Sequence, residues 1–379
     1  VMRLVEAGRV SLDRDINEVL TSWKVPENRF TETEKVTLRR LLSHTAGLTV
    51  HGFPGYPSGT PVPTIQQVLD GAPPANTGPV RVDTFPGAIY RYSGGGTTVA
   101  QLAMTELTGQ AFPDLMKERV LGPAGMSRST YEQPLPAALV PNAASGHRSD
   151  GSVVPGKYHT YPEMAAAGLW TTASDLARLA IQLQLTRAGK STRLMSRATF
   201  DTMLTVQPPA KGSGFGIGFQ IDGSGPDLEF SHGGADEGFR AHLVAFAERG
   251  QGAVVMTNGD NGDRLVDEIL AAIAAELQWP THHPRRKTVA KLNAAALKAV
   301  AGKYALAAGG PQPITAVVSL EGAALFIEVP DAGMGRTELL PESATTFFTR
   351  EGGYGVEFTR DARGVSMIIE GTVRGGKIE

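Results

Sequence analysis

At Gly214 the spacing of apolar residues changes from a helical period to an alternating one, and this change limits the fold more than any other feature. Residues 215–221, 228–230, 239–247 and 253–257 read as consecutive strands, parted by turn residues such as Asn258-Gly259. The gaps between them are too short for crossover helices, so the strands are predicted to pair antiparallel. A helical pattern follows from about Asp263 to Trp279, with Leu265, Val266, Ile269, Leu270, Ile273 and Leu277 on one face. An antiparallel sheet covered by a terminal helix, with a mostly helical insertion earlier, makes an α+β plan.

Upstream, Ser11 precedes a helical pattern over 12–20, and Thr64 with Gln67 forms a capping box ahead of Val68-Leu69. Thr172 with Asp175 opens a helix through Leu176, Leu179, Ala180 and Leu183 that closes near Gly189, and a further helix is expected over 97–107. Long Pro- and Gly-rich stretches at 50–63, 71–86 and 133–156 suit loops that line a cleft. The chain opens on Val1-Met2-Arg3-Leu4-Val5-Glu6-Ala7-Gly8, which reads as the second half of an amphipathic helix without an N-cap. The natural N-terminus, and any export signal, is therefore expected upstream. At the other end, 314–320, 324–329, 356–359 and 365–369 read as short alternating strands. The expected organisation is a domain over 1–280, a linker over 281–290 and a small all-β domain over 291–379.

Lys+Arg at 36 balance Asp+Glu at 38, and no basic run exceeds Arg285-Arg286-Lys287, which argues against a nucleic-acid partner. No stretch approaches the ~18 apolar residues of a membrane span. The count of Cys is 0, so disulfides, thiolate metal sites and a Cys nucleophile are absent. Gly94-Gly95-Gly96 precedes a helix but lacks the Lys-Ser/Thr of a nucleotide loop, and Gly214, Gly216 and Gly218 suit close packing within a strand. His282-His283 has no carboxylate nearby in sequence, so neither a metal nor a cofactor is expected.

Three segments stand out together. The first is Leu41-Leu42-Ser43-His44-Thr45-Ala46-Gly47-Leu48, a helix end with an abrupt Gly stop. The second is Tyr90-Arg91-Tyr92-Ser93-Gly94, a polar loop before a helix. The third is Ser231-His232-Gly233-Gly234-Ala235 at the end of a predicted strand, where paired glycines let a substrate or another backbone approach. In this order and with these gaps the chain resembles the penicillin-recognising serine hydrolases, in particular their class C β-lactamase-like branch with its D,D-carboxypeptidases, D-aminopeptidases and carboxylesterases. Ala167-Gly168-Leu169-Trp170-Thr171-Thr172 and residues 214–219 match family segments too, so the resemblance covers about residues 1–280. Residues 291–379 resemble the small β-barrel appendages that follow some of these enzymes.

The resemblance implies an acyl-enzyme mechanism on a small-molecule ester or amide, which needs a nucleophile, a base and donors aimed at the oxyanion. It implies that Tyr92 is general base and acid, that His232 stands where the family has the Lys of its KTG strand, and that the Ala235 N–H is one oxyanion donor. Ser93, Gly94, Gly233 and Gly234 are expected to line the substrate site. Free Tyr titrates near ~10, so Tyr92 needs an adjacent cation, supplied by a family Lys or by His232. Two departures, Gly94 for the family Asn and His232 for the Lys, point away from efficient penicillin hydrolysis and towards short-chain esters or D-amino-acid amides. Arg240 is a candidate to replace the lost charge on a substrate carboxylate. The family also implies export to the periplasm or the medium.

The family nucleophile is the Ser of a Ser-x-x-Lys helix turn. No Lys of this chain follows a Ser by three positions; Thr21–Lys24 and Thr288–Lys291 have the spacing but sit beside Pro26 and the linker. The pair is therefore expected upstream of Val1, omitted from the sequence, deleted, or cleaved and retained as a separate bound piece. The alternative is a non-catalytic relative that binds cell-wall peptide or a protein partner.

Overall fold

A computed structural model describes residues 1–284, 286–307, 313–330, 334–350, 353–362, 364–369 and 373–378. The chain divides into two compact units, Val1–His283 and Pro284–Glu379. In the first, four helices matter for the site: α1 (Leu38–Leu42), α2 (Gly94–Thr108), α3 (Ala173–Arg187) and α4 (Gly262–Leu277). Its five-stranded antiparallel sheet runs in the order β1 (Gly214–Phe215), β2 (Gln220–Asp222), β3 (Glu229–Asp236), β4 (Phe239–Phe246) and β5 (Gly252–Thr257).

Strand alternation buries both sheet faces. Phe230, Leu243 and Ala245 pack with Leu183 of α3 and with Phe200, while Val244, Phe246 and Val255 pack with Val266, Leu270 and Ala274 of α4 and with Trp279. Each of the Val, Leu and Phe side chains contributes about 1.5–3 kcal/mol on burial. Leu265 and Leu277, assigned above to the apolar face of α4, are instead 51% and 44% exposed, because the buried stripe runs through 266, 270 and 274. The mostly helical part forms a separate cluster in which α2 is buried nearly all round, with Val99, Ala100, Ala103 and Met104 inside.

Three expectations are corrected. Residues 12–20 hold only a short 3-10 turn, Ile16–Glu18, because the backbone pairs elsewhere: Ile16 N–H donates to Val36, Arg39 N–H donates to Leu12, and the Asp15 carboxylate caps Asn17. Leu12, Ile16 and Leu20 are still buried, which explains the misleading helical spacing. Residues 215–221 are a hairpin, with Gly218 at φ 83 and a Cβ on Gly216 falling 2.1 Å from the Met203 carbonyl. Finally, His232-Gly233-Gly234 does not end a strand; β3 runs through it to Asp236.

The second unit is a closed eight-stranded barrel: β6 (Gly302–Ala307), β7 (Ile314–Glu321), β8 (Ala324–Val329), β9 (Met334–Pro341), β10 (Thr346–Thr349), β11 (Gly355–Asp361), β12 (Gly364–Ile369) and β13 (Val373–Lys377). β13 returns to β6 through Arg374↔Ala307 and Lys377↔Tyr304. Side chains such as Tyr304, Ile327, Phe347 and Met367 fill its interior. Among the described residues no helix is long and apolar enough to cross a membrane.

Gly47 holds φ 68, and a Cβ there would lie 2.1 Å from the Thr84 carbonyl oxygen. Gly47→Ala is expected to destabilise the first unit by about 2–5 kcal/mol in denaturant unfolding. A loss below about 0.5 kcal/mol, the size of an ordinary surface change, would refute the packing described here.

Candidate active site

The segment after α1 turns sharply. Ser43 closes the helix, with its Oγ donating to the Arg39 carbonyl at 2.8 Å. His44 at φ 56, Gly47 at φ 68 and Val50 at φ 64 are all left-handed, a costly conformation for the branched Val50. The turn is held from outside. His44 brackets Tyr92: its carbonyl accepts the Arg91 N–H at 2.8 Å and its Nδ1 accepts the Ser93 N–H at 3.2 Å. The imidazole, only 5% exposed, lies against the Tyr92 ring with centroids 3.9 Å apart and planes 30° apart.

The Tyr92 ring is met from other elements as well. His51 lies 5.1 Å away, Phe215 of β1 at 6.2 Å and His232 of β3 at 6.2 Å. The phenol at 92 and the imidazole at 232 thus share one aromatic-walled site. Beside it the β3 edge is open. β2 pairs with β3 only as far as Gln220↔Ser231, whereas β4 follows β3 to Asp236↔Phe239. Gly233, Gly234 and Ala235 are exposed there, and a Cβ on Gly233 or Gly234 would meet nothing closer than 3.5 Å. The glycines are not demanded by packing.

The electrostatic state of the site is neutral. Burial, with smaller contributions from His232 and His51, pushes His44 down to about 3. Burial holds His232 below the usual imidazole range against an opposing bond to Gly233, and its Nδ1 carries the proton because it donates to that carbonyl. Burial raises Tyr92 above its ordinary value. His232 therefore supplies no positive charge near neutral pH, contrary to one expectation above. The Arg91 guanidinium is tied to Asp83 and the Gly47 carbonyl.

Ser93 and Gly94 are buried at the start of α2. Ser93 caps α2: its Oγ accepts the Gly96 N–H at 3.0 Å and donates to the Thr49 carbonyl at 2.7 Å. The Gly94 and Gly95 N–H groups donate to His51 and Val50, so the start of α2 has no donors left for an anion. A Cβ on Gly94 would press on the His51 carbonyl at 3.1 Å. Arg240 is committed too, paired with Asp260 at 2.9 Å and Asp263 at 3.4 Å, and bonded to the Asp236 and Phe239 carbonyls.

Sequence reasoning missed a second polar group at the far end of β3. Alternation places Asp236 on the same strand face as His232, with Gly234 between. Near it is Glu163, wholly buried, whose two carboxylate oxygens have no partner among the described residues. Burial pushes Glu163 up to about 7, opposed by its own backbone N–H and aided by Asp236; burial likewise pushes Asp236 up to about 7, opposed by Arg240. The Tyr161 hydroxyl, which accepts the Glu237 N–H at 3.0 Å, faces both carboxyls. No periodicity flags Tyr161-Pro162-Glu163, because it lies outside regular elements. Among the described residues no group of three or more His, Asp or Glu side chains is placed to hold a metal.

An antiparallel sheet backed by helices, with a Tyr from the helical part set against an open strand, is the plan of serine β-lactamases and D-peptidases. The chain belongs to the beta-lactamase family, whose model matches residues 1–277. It is 27% identical over 338 residues to penicillin-binding protein 4 of Amycolatopsis lactamdurans, covering 82% of each chain. Its fold is like that of the octameric penicillin-binding protein homologue from Pyrococcus abyssi (TM-score 0.59, 22% identity, 99% of this chain and 84% of that one). It is also like that of a D-stereospecific amidohydrolase from Streptomyces sp. (TM-score 0.54, 20% identity, 68% and 78%).

Two outcomes follow from this geometry. His44→Ala leaves the buried Ser93 N–H unpaired and is expected to cost about 1–3 kcal/mol in chemical unfolding; His44→Asn, which tolerates the left-handed backbone and offers an acceptor, should recover part of it. Equal losses for the two variants would refute the bracket. Glu163 binds its proton more tightly folded than unfolded, so stability falls as pH rises from 4.5 towards 7, by about 3 kcal/mol in total. Glu163→Gln should flatten that part of the stability–pH curve, and an unchanged curve would contradict the burial of an unpaired carboxyl.

Proposed function

We propose that this chain carries the substrate-binding and proton-transfer part of a serine hydrolase that forms an acyl-enzyme, with short-chain carboxylic esters as preferred substrates and D-amino-acid amides or β-lactams next. The observation that carries the reading is the meeting of Tyr92 and His232 at 6.2 Å beside the open edge of β3. In the proposed reaction a Ser hydroxyl attacks the carbonyl and passes its proton to Tyr92. Tyr92 then hands that proton to the departing alkoxide or amine, and water releases the acyl group by the reverse path. The exposed 233–235 backbone would align the substrate, and the Ala235 N–H would meet the oxyanion.

With the phenol raised by burial and His44 and His232 neutral, Tyr92 becomes a base when a cation is brought to it. The Lys of a Ser-x-x-Lys pair fits that need, and it has to come from outside these 379 residues, since no Lys here has the spacing. That same lack of a nucleophile favours a second reading, a ligand-binding protein of the same fold.

The test uses protein carrying the Ser-x-x-Lys segment, treated with a fluorophosphonate probe and mapped by mass spectrometry. A Ser adduct is expected. Tyr92→Phe is expected to lower kcat/KM on p-nitrophenyl butyrate by about 10²–10⁴. No adduct, together with no turnover, would leave the binding protein; a fully active Tyr92→Phe would remove Tyr92 from the mechanism.

A further inference from the structure

We propose that Glu229 of β3 and the Thr281-His282 pair form a protonation-controlled clasp: a charged imidazole at 282 fastens the chain where it leaves the first unit, and a neutral one lets residues 281–283 loosen. The device stands apart from the acyl-transfer reading and does not depend on it.

The first ground is a buried carboxylate whose two donors come from one short segment. Glu229 opens β3 and is 5% exposed. Its Oε2 accepts the Thr281 hydroxyl at 2.6 Å, and its Oε1 accepts the His282 Nε2–H at 3.0 Å. A carboxylate buried this deeply needs such partners. His282 lies 53 positions further along the chain, which is why the sequence around it shows no carboxylate.

The second ground is the backbone that the clasp holds. α4 ends on Gln278 at φ 52, Trp279 turns into the core, and His282 takes φ 62. A left-handed backbone is unfavourable for His and persists only where surrounding contacts impose it. Trp279 is fixed by packing on Phe246, with ring centroids 5.2 Å apart, and by its N–H, which donates to the Ala274 carbonyl at 2.9 Å. Among the described residues no backbone hydrogen bond fixes Thr281, His282 or His283, so the turn leans on the two bonds to Glu229. A charge-assisted hydrogen bond is roughly twice as strong as a neutral one. Loss of the imidazole charge therefore weakens the restraint while the strain stays.

The surroundings favour the charged form. Glu229 does so most, burial opposes it, and Asp267 of α4 and Asp222 of β2 add to Glu229, so His282 is held above the usual imidazole range. His242 of β4 has its ring 6.5 Å from that of His282. It is pushed the other way, by burial first and then by His282, against Glu229 and Asp267, with His232 adding to the push. The cluster thus takes its proton at 282. Because the clasped form binds that proton more tightly, the gain is fully present below 6.5 and is lost as pH rises through the higher folded value.

Two measurements on the 379-residue chain test the clasp: NMR titration of the His282 imidazole, identified by its loss in His282→Asn, and amide exchange of Trp279. The imidazole is expected to titrate above 6.5 in the native chain and to return to about 6.5 or below in Glu229→Gln. Exchange of the Trp279 N–H, corrected for its intrinsic pH dependence, is expected to be about 5–10-fold faster at pH 8.5 than at pH 5.5. His282→Asn, which tolerates the left-handed backbone and donates without ionising, should remove that step while amides of α3 exchange as before. Thr281→Val should speed exchange at both pH values and keep the step. An imidazole titrating at or below 6.5 in the native chain would overturn the proposal, as would Trp279 exchange indifferent to pH. A step that survives His282→Asn would overturn it too, assigning the change to another group.

Discussion

The docking of the 43–51 turn onto the start of α2 is the interaction on which the site depends. Backbone donors of Arg91, Ser93, Gly94 and Gly95 and the Ser93 hydroxyl all go to acceptors between His44 and His51. Three left-handed residues, two of them not glycine, are held in that turn. Such strain persists only where the surroundings over-determine it. Here they do, through a buried hydrogen-bond network and through glycines at 94 and 95 that admit the turn at 3.1 and 3.0 Å from where their Cβ atoms would be. Tyr92 is placed by this junction and only secondarily by its own contacts.

The cleft has two electrostatic characters along one strand. At the His232 end burial keeps His44 and His232 neutral and holds the proton on Tyr92. At the Asp236 end burial pushes the Glu163 and Asp236 carboxyls up to about 7.

Much of this was legible in the sequence, for identifiable reasons. The antiparallel sheet followed from connection lengths, and the caps of α3 and of Ile65–Asp70 from Thr172 and from Thr64 with Gln67. The nearness of Tyr92 to His232 followed from motif order rather than from any local signal. What escaped was non-local. The helical spacing of Leu12, Ile16 and Leu20 is real burial on a chain whose hydrogen bonds go to residues 36–39. Ser93 and Gly94 resembled binding residues because caps and ligand loops use the same residue types. Glu163 gave no sign at all, since only tertiary packing decides that its carboxyl ends up without a partner.

The open stretch of β3 has one more implication, for self-association. An unpaired strand edge is a template on which a neighbouring molecule can add its own strand, a standing route to aggregates. The barrel unit avoids the hazard by closing β13 onto β6. The sheet cannot close without losing its cleft, and its edge carries two consecutive glycines, which have poor β propensity and no side chains to zip against a second copy. Gly233-Gly234 thus leaves the strand edge open while offering little grip to an intruding chain.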